Sequence, residues 1–338
     1  MVDIYGSHFE YAGVSSRKYG LIIANAETKR NTNLSGSIKG VTVFNKATKS
    51  VSLVDNDYSG SPVSIDIEIV TDDAQPIGRS EMREIEKWLF NRANYRKLYL
   101  DEHDDIYGET YEIIDGEQKR LYLNCRFVNP SRLEYNNGVI GYKATMEADS
   151  GYWWQDAIIR TFENGDGSTI ASVGEGASSS WKINISVDTD IDDYVYPVIT
   201  FTTGNSGGNV MMFNLSDESD ELQDEIHQAA SDFTSAFASI SSLTTYLEKI
   251  QAMVEALDTF VKSISKARMV ALVNIPPQTT IRVDSRINSV LGPAESQYNA
   301  LGNLVHRSFP RLVDGDNEFF IVGDVETVTA EYQNRRML

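Results

Sequence analysis

The residues in this chain with the means to do chemistry are few, and their spacing does not organise them. Asp101-Glu102-His103-Asp104-Asp105 gathers carboxylates and an imidazole, the donor types that bind calcium or a transition ion. They are consecutive, without the alternating ligand positions of a calcium loop, so an acidic, solvated turn is the better reading. His8, His103, His227 and His306 are scattered, and none stands in a motif with a nucleophile or a second ligand. Gly204, Gly207 and Gly208 could outline a phosphate cradle, yet no Gly-Lys-Ser/Thr follows and the next run is strand-like, which points to a hairpin turn. Tyr152-Trp153-Trp154 offers faces on which sugars or bases stack, but its position favours packing where one domain ends and the next begins. Cys125 is the only cysteine, which excludes an internal disulfide and a thiolate metal site. With 49 acidic residues, carboxylate pairs are inevitable and say nothing about hydrolysis. No catalytic residue, cofactor or metal is expected, and the chain does not read as an enzyme.

The elements that carry these residues are those of a folded globular protein. A hydrophobic fraction of 41% and a charged fraction of 23% over 338 residues allow two domains, or one with a large insertion. The net charge of -19 argues against wrapping nucleic acid or docking on an anionic bilayer, since both partners are negative. It suits a wall past which DNA slides without sticking. No run approaches the ~20 apolar residues of a membrane span, and Met1 to Glu10 lacks the regions of a signal peptide, so folding in a cytoplasm is expected.

Short apolar or β-branched runs separated by turn residues fill the first ~155 positions, at Tyr19 to Ala24, Gly40 to Phe44, Ser50 to Val54, Val63 to Val70, Arg96 to Leu100, Glu109 to Ile114, Arg120 to Val128 and Val139 to Glu147. Ser64-Ile65-Asp66-Ile67-Glu68-Ile69 alternates strictly, placing three isoleucines on one face of a strand. Between Arg79 and Ala93 the period changes, and Met82, Ile85, Trp88 and Leu89 predict one amphipathic helix over 79–93. A Gly, Ser, Asp and Glu-rich stretch from Glu163 to Ser180 places a domain boundary near Asp156, giving domains at 1–155 and 156–338. Strand patterns resume at Trp181 to Val187, Tyr196 to Thr202, Val210 to Leu215, Val270 to Ile275, Thr279 to Asp284 and Glu318 to Ile321.

That second β domain is interrupted at 216–266 by a heptad pattern. Ile226, Phe233, Ile240, Leu247, Val254 and Val261 recur every seven residues, with Ala229, Ala236, Leu243, Ile250, Leu257 and Ile264 three positions further on. Ser216, Asp217, Asp220 and Glu221 supply a cap and negative charge at the start. One continuous helix would reach roughly 70 Å. Ser241-Ser242 and Thr244-Thr245 lower helix propensity mid-way, so a hairpin of two shorter helices is the alternative. Either form presents an apolar seam, proposed from the pattern as an assembly surface: Ile226, Phe233, Ile240, Leu243, Leu247, Ile250, Val254, Leu257, Val261 and Ile264.

Taken in order, these pieces resemble the distal tail protein family of siphophages. Phe9 to Leu21 looks like that family's opening, an aromatic and glycine pair, serines, then an aromatic-Gly-Leu entering a strand. Ile85 to Leu89 looks like its single helix, and Lys143 to Trp154 like the close of its first domain. Phe309 to Ile321, with its Gly-x-Asn turn, and the basic tail from Tyr332 to Arg336 resemble its ending. The resemblance implies a mainly β protein with an α insertion: an N-terminal ring-forming β domain with one helix, and a C-terminal galectin-like β-sandwich. It also implies a homo-hexamer at the virion tail tip, made in the bacterial host cytoplasm and joined to the tail tube protein and the tail-associated hub protein. DNA would pass through the lumen without specific binding. The segment 216–266 departs from the compact family pattern and, by analogy with arm-like insertions in some members, would dock a receptor-binding protein. A carbohydrate-binding or adhesin-type module, with Trp153, Trp154 or Trp181 as platforms, is the competing reading; the chain lacks the His, Asn, Arg and Trp spacing of a galactoside site.

Overall fold

The computed structural model describes residues 8–27, 39–45, 50–57, 63–91, 93–101, 111–163, 168–172, 179–191, 193–239, 255, 258–259, 262–263, 266–292 and 304–336. The protein is mainly β, built of antiparallel sheets with helices α1 (Arg79–Leu89) and α2 (Asp220–Ser239) among the described residues. The chain divides into a first unit, Met1–Asp156 with Asn334–Leu338, and a second, Ala157–Gln333.

The first unit holds a ten-stranded sheet whose main path runs Val14–Ser15, Phe9–Tyr11, Arg96–Leu100, Glu117–Tyr135, Gly138–Ala148, Val63–Thr71, Leu21–Glu27. Strict alternation sets which face is dry: Ile65, Ile67 and Ile69 are buried while Ser64 and Asp66 are exposed. Helix α1 covers that face with Ile85, Trp88 and Leu89. Trp88 stacks on Phe9 at 5.8 Å and donates from its indole nitrogen to the Tyr11 carbonyl, 2.8 Å. The helix stops four residues short of its expected end; Phe90 caps it with its N–H on the Glu86 carbonyl, 3.0 Å, and its ring sits edge-on against Tyr142, 5.4 Å away. Two sharp hairpins use residues with positive φ, Asp115-Gly116 and Asn136-Asn137. The strands Lys39–Asn45 and Ser50–Asp57 pair with each other as a separate two-stranded sheet.

Gly141 shows how closely the sheet is fitted. A Cβ there would lie 2.2 Å from the Ile69 carbonyl oxygen and 2.8 Å from the Val70 Cα, both backbone atoms. Gly141→Ala is therefore expected to push two core strands apart and cost about 2 kcal/mol, read as a lower midpoint in thermal or urea denaturation.

The expected second domain ran to residue 338, but its last residues join the first unit. Strand Arg335–Arg336 pairs with Trp153–Gln155, and Arg336 donates to both oxygens of Glu112 at 2.6 and 2.9 Å. Asn334 exchanges side-chain and backbone hydrogen bonds with Gln155, each 3.0 Å. A basic tail reads as surface in sequence; here a carboxylate makes a nearly buried arginine tolerable.

The second unit has a five-stranded sheet, in order Ile158–Glu163, Val325–Tyr332, Val198–Thr203, Thr280–Asp284, Ser289–Leu291. Its six-stranded sheet runs Ser168–Ser172, Ser179–Val187, Gly315–Val322, Gly208–Asn214, Met269–Ile275, Leu304–Arg307. Alternate residues on both are buried, among them Ile199, Phe201, Val328 and Ala330 on one and Ile183, Ile185, Phe319 and Ile321 on the other. Tyr332 of the first sheet donates to the Ser186 carbonyl of the second at 2.7 Å. The six-stranded sheet also has a dry outer face. Phe213, Met269 and Phe320 point that way and meet Ile226 of α2.

Candidate functional site: the base of the helical insertion

Strands Gly208–Asn214 and Met269–Ile275 are hydrogen-bonded neighbours, with Phe213 opposite Met269. The whole insertion thus stands where a hairpin turn would, and a β-sandwich can accept it there without disturbing the register of either strand.

A polar network holds the entry point. Asn317, fully buried, accepts from the Asn214 side-chain amide at 2.7 Å and from the Val313 N–H at 2.9 Å, and its own amide lies against the carbonyls of Ile185, Val313 and Gly315. This is the physical content of the Gly-x-Asn turn: the amide satisfies backbone groups that the turn leaves unpaired. Asn214 in turn donates to the Arg311 carbonyl, 2.8 Å. Arg311 grips both oxygens of Asp217 through its Nε at 2.9 and 2.8 Å, and its guanidinium carbon sits 3.3 Å from the centre of the Tyr194 ring. Burial pushes the Asp217 carboxyl above its ordinary value, although Arg311 pulls the other way. Ser216 and Asp217, expected as the helix cap, lie in a short 3-10 turn, Leu215–Asp217, and serve this anchor instead. The cap is Ser219, whose hydroxyl accepts from the Leu222 N–H at 3.4 Å.

Above the anchor, α2 lies on the outer face of the sheet. Ile226 is 1% exposed within a cluster of Phe213, Leu215, Ala267, Met269 and Phe320. Phe213 and Phe320 stack at 5.1 Å, and Glu318 bridges Lys182 at 2.7 Å and the His227 ring of α2 at 3.3 Å. The far end of the insertion returns to the same place. Lys266 contacts both carboxylate oxygens of Glu225 at 2.5 and 2.7 Å, and the Arg268 N–H donates to Glu218. In one continuous helix those partners would stand roughly 60 Å apart. The single-rod alternative is therefore excluded, and the segment folds back on itself.

Of the ten seam residues, Ile226 is spent on the unit's own sheet. Phe233 lies on the backbone of α2. Ile240, Leu243, Leu247, Ile250, Val254, Leu257, Val261 and Ile264 fall outside the described residues.

The other candidates from sequence have structural employment where they are described. The Gly204 loop does hold a carboxylate, but it is the protein's own: Asp324 accepts from the Ser206 and Gly207 N–H groups at 2.6 and 3.1 Å. His8 bonds the Leu21 carbonyl through Nδ1, 2.9 Å, and Asp101 accepts from Arg17, 2.7 Å. Residues 102–105 and the side chains of Trp181 and His306 are outside the described set. Trp153 is buried in the core of the first unit, and Tyr152 meets Trp154 edge-on at 5.1 Å. Cys125 is fully buried, which pushes its thiol up and leaves it unreactive. Among the described residues no group of three or more His, Cys, Asp and Glu is placed to hold a metal ion, and no helix is long and apolar enough to cross a membrane. The Gly-x-Asn turn marked Asn317 in the sequence but not its buried partners, and sequence reasoning missed the roles of Arg311 and Asn214, because an isolated Asn or Arg carries no periodic mark.

Residues 4–150 match a family model described as the phage tail protein N-terminal domain. The protein carries this match within its first unit. Its fold is similar over 97% of the chain to the crystal structure of SPP1 Dit, called a paradigm of the hub adsorption apparatus in phages infecting Gram-positive hosts, with 98% of that chain covered, 8% identity and a TM-score of 0.53. It also aligns with the phage P2 baseplate in its activated, calcium-bound conformation, at 8% identity over 98% of this chain and 99% of that one, TM-score 0.44. No curated protein matches the sequence.

Proposed function

We propose that this protein is a distal tail protein of a phage: a homo-hexameric ring at the tail tip that joins the tail tube protein to the tail-associated hub protein and lets DNA through. The observation that carries the reading is the family match of the first unit, supported by a likeness of fold to SPP1 Dit that runs nearly the length of both chains. The work is structural, positioning partners, and needs no reacting group.

The solvent face of the ten-stranded sheet supports the passage of DNA. On the three strands Arg96–Leu100, Glu117–Tyr135 and Gly138–Ala148, four of its cations lie against carboxylates: Lys97 with Asp156 at 3.4 Å, Arg120 with Glu10 at 3.0 Å, Arg126 with Glu147 at 2.8 Å and Lys143 with Glu68 at 4.0 Å. Cations already neutralised release few counterions when DNA approaches, which is the property a lumen wall needs.

Light scattering on the purified protein, followed by negative-stain imaging, tests the ring. Six copies around a central hole are expected, alone or after mixing with tail tube protein. A stable dimer or trimer under both conditions would overturn the reading. The helical insertion is proposed to hold the receptor-binding protein. Replacing residues 220–265 by a short linker, which keeps Asn214 and Asp217 in their network and which the pairing of Phe213 with Met269 permits, is expected to spare the ring and abolish capture of that partner; loss of the ring would refute the arm.

The sugar-binding alternative draws no support from the first unit's aromatic triplet. Trp153 is within the core there, and Trp154 pairs with Tyr152 and the neighbouring strands.

A further inference from the structure

Residues 334–336 belong to the first unit but are separated from the rest of it by the whole of the second. Gln155 and Asn334 stand 179 positions apart in the chain. Neighbouring strands usually follow one another in sequence, so a unit complete in itself would draw its closing strand from its own consecutive residues. Here the strand Trp153–Gln155 pairs on one side with Leu121 and Tyr122 and on the other with Arg335 and Arg336. Residues 1–156 by themselves therefore supply one side of that ladder and not the other.

The polar groups at this edge show what the late residues close. Gln155 is fully buried; its backbone N–H donates to the Asn334 carbonyl and its side-chain oxygen accepts from the Asn334 amide, each 3.0 Å. Its own amide donates to Glu112, whose two oxygens also accept from Arg336 at 2.6 and 2.9 Å. The Arg335 guanidinium lies over the Tyr152 ring, 5.5 Å from its centre. Asn334, Arg335 and Arg336 are all nearly buried, a state arginine tolerates only when paired. Without these three residues, a buried amide loses two partners and the Glu112 carboxylate loses its cation. Trp153, part of the main core of the first unit, loses the strand that flanks it.

We infer that residues 334–336 are a latch that makes closure of the first unit depend on folding of the second. Synthesis delivers 1–156 first, and the edge at Trp153–Gln155 stays open until the second unit has been made. The second unit's own sheet then brings the latch to its place. Ile158 pairs with the buried Tyr332, so in the folded second unit the chain enters and leaves on adjacent strands, with Gln155 three positions before Ile158 and Asn334 two beyond Tyr332. When the second unit is unfolded, the same residues return only by closing a loop as long as that unit, an entropic cost that the folded sheet removes. The first unit is thus sealed by a chain whose second unit is already folded. This concerns folding within one chain and holds whether or not the protein forms a tail-tip ring.

In a Trp181→Phe background the three remaining tryptophans, Trp88, Trp153 and Trp154, all belong to the first unit, so tryptophan fluorescence follows its unfolding alone. Ending the chain after Gln333 is expected to lower the fluorescence-detected melting temperature by roughly 10 °C. Arg336→Ala, expected to lower it by about half as much, gives the same reading if the shortened chain does not fold. An unchanged midpoint in both overturns the latch. Dependence on the second unit is read by adding Asn317→Ala, a change confined to that unit. With residues 334–338 present, this substitution is expected to lower the fluorescence midpoint as well; with them removed, it is expected to add nothing to the effect of the deletion. An equal shift in both backgrounds, or none in either, would show the tail to be an ordinary strand and overturn the coupling.

Discussion

Asn317→Ala is expected to destabilise the second unit by about 4 kcal/mol and to lower its melting temperature by roughly 10 °C. The amide serves five partners from a fully buried position, and alanine can replace none of them. Losing it strands the Val313 N–H and the Asn214 amide, together with carbonyls on two elements, in a place water does not reach. Each such group costs about 1–3 kcal/mol when left unmade, and relaxation of the turn recovers part of the sum. Because Asn214 also reaches the Arg311 carbonyl, the loss should propagate to the foot of the insertion. Circular dichroism of the variant, compared with a surface control such as Asp316→Ala, measures this; a melt within a degree or two of the parent would show that the network is dispensable.

Arg311→Ala is expected to cost about 3 kcal/mol at neutral pH, with a dependence on pH that identifies the cause. The Asp217 side chain is 2% exposed and the Arg311 side chain 22%, so the pair is shielded but not wholly dry. Removing the guanidinium leaves a buried carboxylate with its strongest neutralising partner gone. Burial already raises the Asp217 carboxyl, which means the folded state holds that proton more tightly than the unfolded chain does. Its contribution is therefore favourable below the unfolded value and is lost as pH rises through the folded one. Without Arg311 the folded value rises further, so the variant's deficit should shrink as pH falls from neutral through the carboxylate range. Urea midpoints for parent and variant across that range give the difference. A deficit independent of pH would mean that lost packing on Tyr194, and not an unpaired charge, is responsible.

Much of the fold could be read from residue order because it rests on local periodicity. The isoleucines at 65, 67 and 69, the apolar face of α1 and the Asp115-Gly116 turn obey rules that act within a few residues, and the structure has each of them. The boundaries were harder. Helix α1 ends at Leu89, where the Phe90 ring meets Tyr142, and the tail crosses back to Trp153 and Glu112, both contacts made across long stretches of chain.

The candidate site divides the same way. By itself the sequence determined that a β domain is interrupted by a heptad segment, since periodicity is a property of neighbouring residues. Only the tertiary structure decided that the segment doubles back, that Ile226 faces its own sheet, and that Asn317 and the Arg311–Asp217 pair hold the foot of the arm. Those outcomes depend on groups 41 to 132 residues apart meeting in space. A pattern that repeats every seven residues states only that an apolar stripe must be covered; which surface covers it is settled by where the rest of the chain brings its ends.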